Sequence, residues 1–562
     1  MSILVTESKK QIEKILLDAA AKAINKGDLC EAELVPFKVE VPADRKNGDY
    51  AVNAAMVWAR AFKAAPRAIA ETLMANADFG GTFIEKYEIA GPGFINFFLS
   101  DKYYANIISD VIAKGKDYGK SNFGEGKKVL VEFVSANPTG PMHIGNARGG
   151  ALGDCLAAVL EAAGYYTERE FYINDAGNQI NKFGLSLDLR YQQLYADGIE
   201  MPEDSYHGDD IVAHAKAFAE INGDKYMTAD EQTRRKALVE FALPKNIQGL
   251  KDDLLKYRIN YNTWFKESTL HNNGETARII ELLKSSGHTY ELEGALWFKA
   301  TDFGCDKDFV LVRANGVPTY VVPDIAYHYN KLEVRKFDKA IDILGADHHG
   351  YVPRLKAALT ALGVDADRLD VVLMQMVRLV RDGEVIKASK RSGKAITLVT
   401  LLDEVPIDAA RFFFNLREPN SHFDFDLDLA VSESSNNPVF YVQYAYARIC
   451  SILRNLAEEG ITRRSCTADE LSLLNSSEER ELIIHISSLT DEIVQSAKSY
   501  DPARLTHYVN ELATKFHKFY AACRVKGEDE ALTQARLNLC YATGIVIKNV
   551  LDMMKITAPE KM

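Results

Sequence analysis

Val129-Leu130-Val131-Glu132-Phe133-Val134 runs directly into Ser135-Ala136-Asn137-Pro138-Thr139-Gly140-Pro141-Met142-His143-Ile144-Gly145-Asn146, and the reading of this passage decides the fold. A short apolar run without strict alternation is what a strand buried on both faces of a parallel sheet requires. The Gly- and Pro-rich stretch after it predicts a loop, and an Ala/Leu-rich segment over about 146–163 predicts a helix. In an open α/β sheet, ligands bind outside the carboxyl ends of the strands. A helix starting there offers unpaired N–H groups that favour phosphate. His143 falls at that helix start and can donate to phosphate oxygens. Strand, glycine loop and helix also occur together in folds that bind no nucleotide, so this passage alone leaves the ligand open.

Working outward, further strands are predicted at Phe309 to Arg313, Thr319 to Val322, Lys339 to Leu344 and Val371 to Met376, with a helix over Val352 to Leu362. Strands alternating with helices predict an α/β, Rossmann-type parallel sheet. Residues 185–300 are polar, charged and mostly helical in pattern, and read as an insertion into that domain, which spans 119–436. Residues 1–118 predict a small α+β unit. It opens with an amphipathic helix (Ile12, Ile15, Leu16, Ala19, Ala23), passes through a short alternating segment at 37–41 and an Ala-rich helix near 53–75, and closes with a strand, turn and strand over Glu85 to Ser100. Residues 115–127, rich in Gly, Lys, Ser and Asn, read as a linker. From 437 to 562 strand signals vanish and helical spacing dominates, giving an all-α domain.

Composition excludes several classes. With 562 residues, 47% hydrophobic and 26% charged, the chain matches soluble globular averages and is too long for one core. No apolar run approaches the ~18 residues of a membrane span, and the N-terminus does not read as a secretory signal; the expected location is the cytoplasm. Seven scattered cysteines without a Cys-x-x-Cys pair argue against a disulfide framework or a cysteine-rich zinc site. The net charge of −12 argues against a bulk nucleic-acid coater, although local basic patches can still bind.

The second informative passage is Lys387-Ala388-Ser389-Lys390-Arg391-Ser392-Gly393-Lys394. Lys and Arg in such a loop can neutralise charge developing on a transferring phosphoryl group; alone, the run also reads as a solvated basic turn. Taken together, the two passages resemble the HIGH and KMSKS signatures of class I aminoacyl-tRNA synthetases. Wider stretches narrow the resemblance to the arginyl-tRNA synthetase family. They are Glu132 to Gly150, Tyr172-Ile173-Asn174-Asp175-Ala176-Gly177-Asn178-Gln179-Ile180, Tyr320 to Tyr327, Gly345-Ala346-Asp347-His348-His349-Gly350-Tyr351, the terminal Ala558-Pro559-Glu560-Lys561-Met562, and Gly48-Asp49-Tyr50-Ala51-Val52-Asn53-Ala54 near the start. Both signatures depart from the pattern. Asn146 stands where the first ends in His, and an amide cannot become cationic. Ala388 replaces Met and Arg391 replaces Ser in the second, while Lys390 is retained.

The resemblance implies an arginine–tRNA ligase whose catalytic residues are His143, Asn146, Lys387, Ser389, Lys390 and Arg391. It implies ATP contacts from Pro138, Thr139, Gly140, His143, Gly145, Asn146, Gly345, Asp347, Met376 and Lys390. Arginine would meet Glu132, Ser135, Ala136, Asn137, Asn146, Tyr320, Asp324, Tyr327 and His348. A guanidinium is always charged and offers five donors in a fixed fork, so its pocket needs carboxylate acceptors; Asp324 and Glu132 are the candidates. Asp324 following Pro323 also fits a plain helix cap. Adjacent side chains such as His348 and His349 rarely chelate one ion, so no metal ligand set and no zinc are expected, and Mg2+ would enter with ATP. The implied partners are tRNA(Arg), ATP and L-arginine, with no membrane and a monomeric enzyme. The helical 437–562 region carries Tyr441, Tyr444, Tyr446, Phe516, Phe519 and Tyr520; at helical spacing most read as core, and exposed ones could stack on unpaired bases.

Overall fold

The computed structural model describes residues 3–42, 44–386 and 396–562. Lys387, Ser389, Lys390 and Arg391 lie outside the described residues.

A parallel five-stranded sheet, counted among the described residues, organises the centre of the molecule. Its strands are β1 (Lys128–Glu132), β2 (Tyr166–Ile173), β3 (Thr263–Lys266), β4 (Lys339–Gly345) and β5 (Leu369–Met374), in the spatial order β5-β4-β1-β2-β3. Val129, Leu130 and Val131 of β1 are all buried, as a strand covered on both faces demands. Helix α1 (Ile144–Ala162) lies against β1. Gly153 permits this close approach, because a Cβ there would run into the Phe133 ring. The chain leaves β1 towards β2 on one side and returns through β4 on the other, so the loop after β1 sits where the strand order reverses.

Three expectations need correction. Thr319 to Val322 is not a strand. Thr319 donates from its N–H to the Leu311 carbonyl and from its hydroxyl to the carbonyls of Val310 and Leu311, and helix α3 (Val321–Tyr329) begins two residues on, after Tyr320. Pro323 falls in the first turn of α3, where a missing N–H costs nothing, so the β-branched Val321-Val322 pair was misleading. Phe309–Val312 is a strand, but of a separate antiparallel sheet with Thr289–Leu292 and Ala295–Phe298, not of the parallel one. The Ala-rich 53–75 region is broken into Ala54–Val57, Ala59–Phe62 and Pro66–Asn76, Lys63 leaving the second piece with φ of +52°. The 185–300 stretch is largely helical, including α2 (Gly177–Gln192), which enters it, and the helices Asp209–Asn222 and Glu231–Lys256, yet it also supplies the edge strand β3.

Before the sheet, the helix Ile3–Lys26 buries Ile12, Ile15, Leu16, Ala19 and Ala23 against a four-stranded antiparallel sheet and its helices. After it, long helices including Pro438–Glu458, Ala503–Ala522 and Glu530–Met553 form the all-α region.

Candidate active site

The backbone departs from ordinary geometry at the end of β1. Val134 has φ of +71° and Ser135 +40°, a conformation costly for a β-branched residue and typical of sites held by their surroundings. The Ser135 hydroxyl donates to Glu132 Oε1 (2.8 Å) and accepts from the Tyr172 amide (3.1 Å), which ties the turn to β1 and β2. Further along, Pro138 and Thr139 are buried, and the Pro138 carbonyl accepts from Asn246 of the inserted helices (3.0 Å). Ala136 is half-buried and Asn137 exposed.

His143 is the N-cap of α1 and is exposed. Its main-chain N–H donates to Asn146 Oδ1 (3.0 Å), so Asn146 spends its oxygen on closing the helix start and keeps its NH2 as a donor. Histidine at this position would not offer the same amide oxygen. Gly145 and Asn146 border a cavity of about 210 Å³ together with Gly149, Gly345, Met374 and Met376, the last two from the end of β5 and just beyond. Beneath it the buried Arg148 guanidinium donates to the carbonyls of Gln375, Ser421 and Glu418 at 2.7–3.2 Å; burial holds its pKa down to about 10. Arg148 fixes the loop that forms this wall, a role that sequence reading missed. Asp347 and His348 are exposed in the turn beyond β4.

The segment that follows 387–395 bonds the same helix start. Strand Glu384–Val385 precedes that stretch. After it, Ile396 O accepts from Ile144 N (3.2 Å), Leu398 N donates to Met142 O (2.9 Å), and Thr397 bridges His143.

A second cluster of candidate residues lies on and beside α3, next to a cavity bordered by Tyr320 and Tyr351. Asp324, half-buried in the first turn of α3, accepts from the Tyr351 hydroxyl (2.5 Å). Burial pushes its carboxyl above the ordinary range, against the pull of His328 and the Tyr351 hydrogen bond. No Lys or Arg pairs with it among the described residues. Tyr320 is 70% exposed, its ring 5.9 Å from that of Tyr351. Tyr327 is buried and its hydroxyl donates to Glu170 (2.6 Å), so its phenol is committed inward. Glu132 is also committed, to Ser135 through one oxygen and to Lys331 Nζ (2.5 Å) through the other. Of the two acidic candidates, Asp324 is therefore the one free to take a guanidinium. Tyr351, Lys331, His328 and Asp342 were not found from sequence; only the placement of Tyr351 inside the Gly345 to Tyr351 stretch hinted at a role.

Glu132, His328 and Asp342 bring ligand atoms within 4.8 Å of one another, as a metal site would. The Lys331 ammonium already bridges Glu132 and Asp342 at 2.5 and 2.8 Å, and no cation needs to be added.

Three family profiles cover nearly the whole chain: "Arginyl tRNA synthetase N terminal domain" over 9–99, "tRNA synthetases class I (R), catalytic domain" over 107–425 and "DALR anticodon binding domain" over 442–562. The chain belongs to the arginyl-tRNA synthetase family. It is 53% identical over 562 residues to the arginine–tRNA ligase of Caldanaerobacter subterraneus subsp. tengcongensis and 51% identical over 564 residues to that of Acetivibrio thermocellus, each match covering 100% of both chains. Its fold matches the Thermus thermophilus arginyl-tRNA synthetase with a TM-score of 0.73, over 97% of this chain and 99% of that one, at 23% identity.

Proposed function

We propose that this chain ligates L-arginine to tRNA(Arg) in two steps at one site, using the residues described above. The arginine carboxylate attacks the α-phosphorus of MgATP in line, forming arginyl-adenylate and releasing pyrophosphate. A ribose hydroxyl of the tRNA 3′-terminal adenosine then attacks the activated carbonyl, and AMP leaves. The protein's contribution is positioning and charge neutralisation. Asp324 receives the guanidinium, with Tyr320 as an exposed wall. Ser135 and Asn137 hold the amino-acid end. His143 and the Asn146 amide hydrogen-bond the phosphates at the start of α1. Gly145, Gly345 and Met376 contact the nucleotide, and Asp347 its ribose. Lys390, with Lys387 and Arg391, neutralises the leaving pyrophosphate. Mg2+ arrives with ATP.

The observation that carries this assignment is the main-chain junction of Met142, His143 and Ile144 with Ile396, Thr397 and Leu398, which joins the flank of the Lys-rich passage to the helix start. The tRNA contact is assigned to the helical region. There Arg448 lies over the rings of Tyr444 (4.6 Å) and Tyr520 (5.2 Å) beside a cavity of about 310 Å³ bordered by Tyr441 and His517. Tyr444 and Tyr520 are 38% and 40% exposed, while Phe516 and Phe519 are core. Aromatic faces with an adjacent cation suit a splayed-out base. Among the described residues no helix is long and apolar enough to cross a membrane; we assign the enzyme to the cytoplasm, working as a monomer.

ATP–pyrophosphate exchange with each of the twenty amino acids, with and without total tRNA, tests the assignment. Exchange confined to arginine is expected. Exchange with another amino acid would reject the pocket around Asp324.

A further inference from the structure

One turn beyond Asp324, α3 and the turn that ends it meet a buried ionic network that no step above uses. Glu132 and Asp342 sit directly opposite each other on β1 and β4, an arrangement in which two like charges repel. Two side chains answer them. Lys331 is fully buried in the single π-helical turn Asn330–Val334 that ends α3, and its ammonium spans the two carboxylates. Wider turns of this kind recur at functional sites. His328, one α-helical turn before, supplies the second contact. Its Nε2 lies 2.6 Å from Asp342 Oδ2, and its Nδ1 lies 2.7 Å from the main-chain oxygen of Asp324.

Both ring nitrogens are engaged. A main-chain carbonyl only accepts, so the ring donates from Nδ1 to Asp324. Its Nε2 meets Asp342, whose other oxygen accepts from Lys331. Burial raises the Asp342 carboxyl, but Lys331 and His328 together hold it well below the ordinary carboxylate range. The groups facing His328 from every packed element are Asp342 of β4, Asp324 of its own helix, Lys331 of the π-turn, Glu132 of β1 behind Lys331, and the Tyr327 ring 5.3 Å away, whose hydroxyl binds Glu170 of β2. Arg335 in turn pairs Glu170 (2.5 Å).

We propose that His328 is a positioning residue for arginine recognition, clamping the Asp324 turn to β4 through Asp342. The proposal rests on the assignment of Asp324 to the guanidinium. With both ring nitrogens engaged, the Asp324 main chain cannot shift when the carboxylate takes its ligand. The same network spends the charge of Glu132, which leaves Asp324 as the acceptor that selects arginine.

Exchange kinetics of His328→Gln test the clamp. The variant is expected to raise KM for arginine ~10-fold while KM for ATP and kcat stay within ~2-fold. An unchanged arginine KM, or equal shifts for both substrates, would overturn the proposal. Asp342→Asn, which removes the charge that His328 meets on β4, is expected to give the same split and serves if His328→Gln does not fold. Asp324→Asn separates the two claims: an unmoved arginine KM there rejects the pocket assignment, whereas a raised KM there with an unmoved one in His328→Gln rejects only the clamp.

Discussion

Asp154 and Asp324 are both carboxylates held inside the protein, and their surroundings differ in one respect. Asp154, in the middle of α1, is fully buried and meets Arg411 (2.6 Å), Lys555 (2.8 Å) and Arg169 (3.0 Å), drawn from three distant parts of the chain. Burial raises its carboxyl, but those cations overcome it and hold the group below its ordinary range. Asp324 meets a tyrosine hydroxyl and no Lys or Arg among the described residues, and its carboxyl is pushed up. A buried carboxylate ringed by cations is a structural joint, here locking the signature helix to the C-terminal region. A partly open one without a protein cation is suited to a cationic ligand.

The contrast predicts opposite responses to removal. Asp154→Ala leaves Arg411, Arg169 and Lys555 uncompensated and is expected to destabilise the fold by about 3–5 kcal/mol, read as a large drop in thermal midpoint. Because the Asp154 carboxyl is depressed in the fold, its contribution is present above the ordinary range near pH ~4 and lost as pH falls towards its lowered value; the deficit of Asp154→Asn should shrink on acidification. Asp324 has the opposite sign. Its raised carboxyl works against folding as pH rises through the ordinary range, so Asp324→Asn should leave the thermal midpoint at pH 7 unchanged or higher. The same variant should raise KM for arginine ~100-fold, a loss of about 2–3 kcal/mol in keeping with removal of one member of a desolvated charge pair. A stability loss for Asp324→Asn as large as for Asp154→Ala would erase the distinction.

The difference extends to what could be seen in the sequence. Asp324 was legible because it lies in a short motif-bearing stretch. Asp154 was not, because its partners stand 15, 257 and 401 residues away. Strand β1 was readable as an unbroken apolar run, yet its neighbour β2 was not. Its core Tyr-Thr-Glu-Arg-Glu hides a central strand behind charges, and those charges are paired internally, Glu170 with Arg335 and Arg169 with Asp154. The Val321-Val322 pair misled for the converse reason, since a proline in a first turn weighed more than β-branching. Local pattern reveals where main chain meets ligand, whereas paired charges across the sheet carry no local pattern at all.

Smaller effects sharpen the same contrast. Arg448→Ala, which removes the cation from the Tyr444 and Tyr520 faces, should raise KM for tRNA ~10-fold in aminoacylation and leave KM for arginine unmoved. His517 beside it, its pKa held down to about 4 by burial and by Arg448, should stay neutral through the working range, so this tRNA effect should be flat between pH 6 and 8. Lys555→Met removes one of the Asp154 cations and leaves Arg411 and Arg169 in place. It should cost about 1 kcal/mol in thermal unfolding, far less than loss of the carboxylate itself.

The most direct test is the affinity of the wild-type enzyme and Asp324→Asn for arginine and for citrulline, its uncharged isostere, by calorimetric titration. If Asp324 supplies the charge that selects the substrate, the wild type should prefer arginine by ~100-fold or more, and the asparagine variant by less than ~10-fold. A variant that keeps the wild-type preference would show that selection resides elsewhere and would contradict the account.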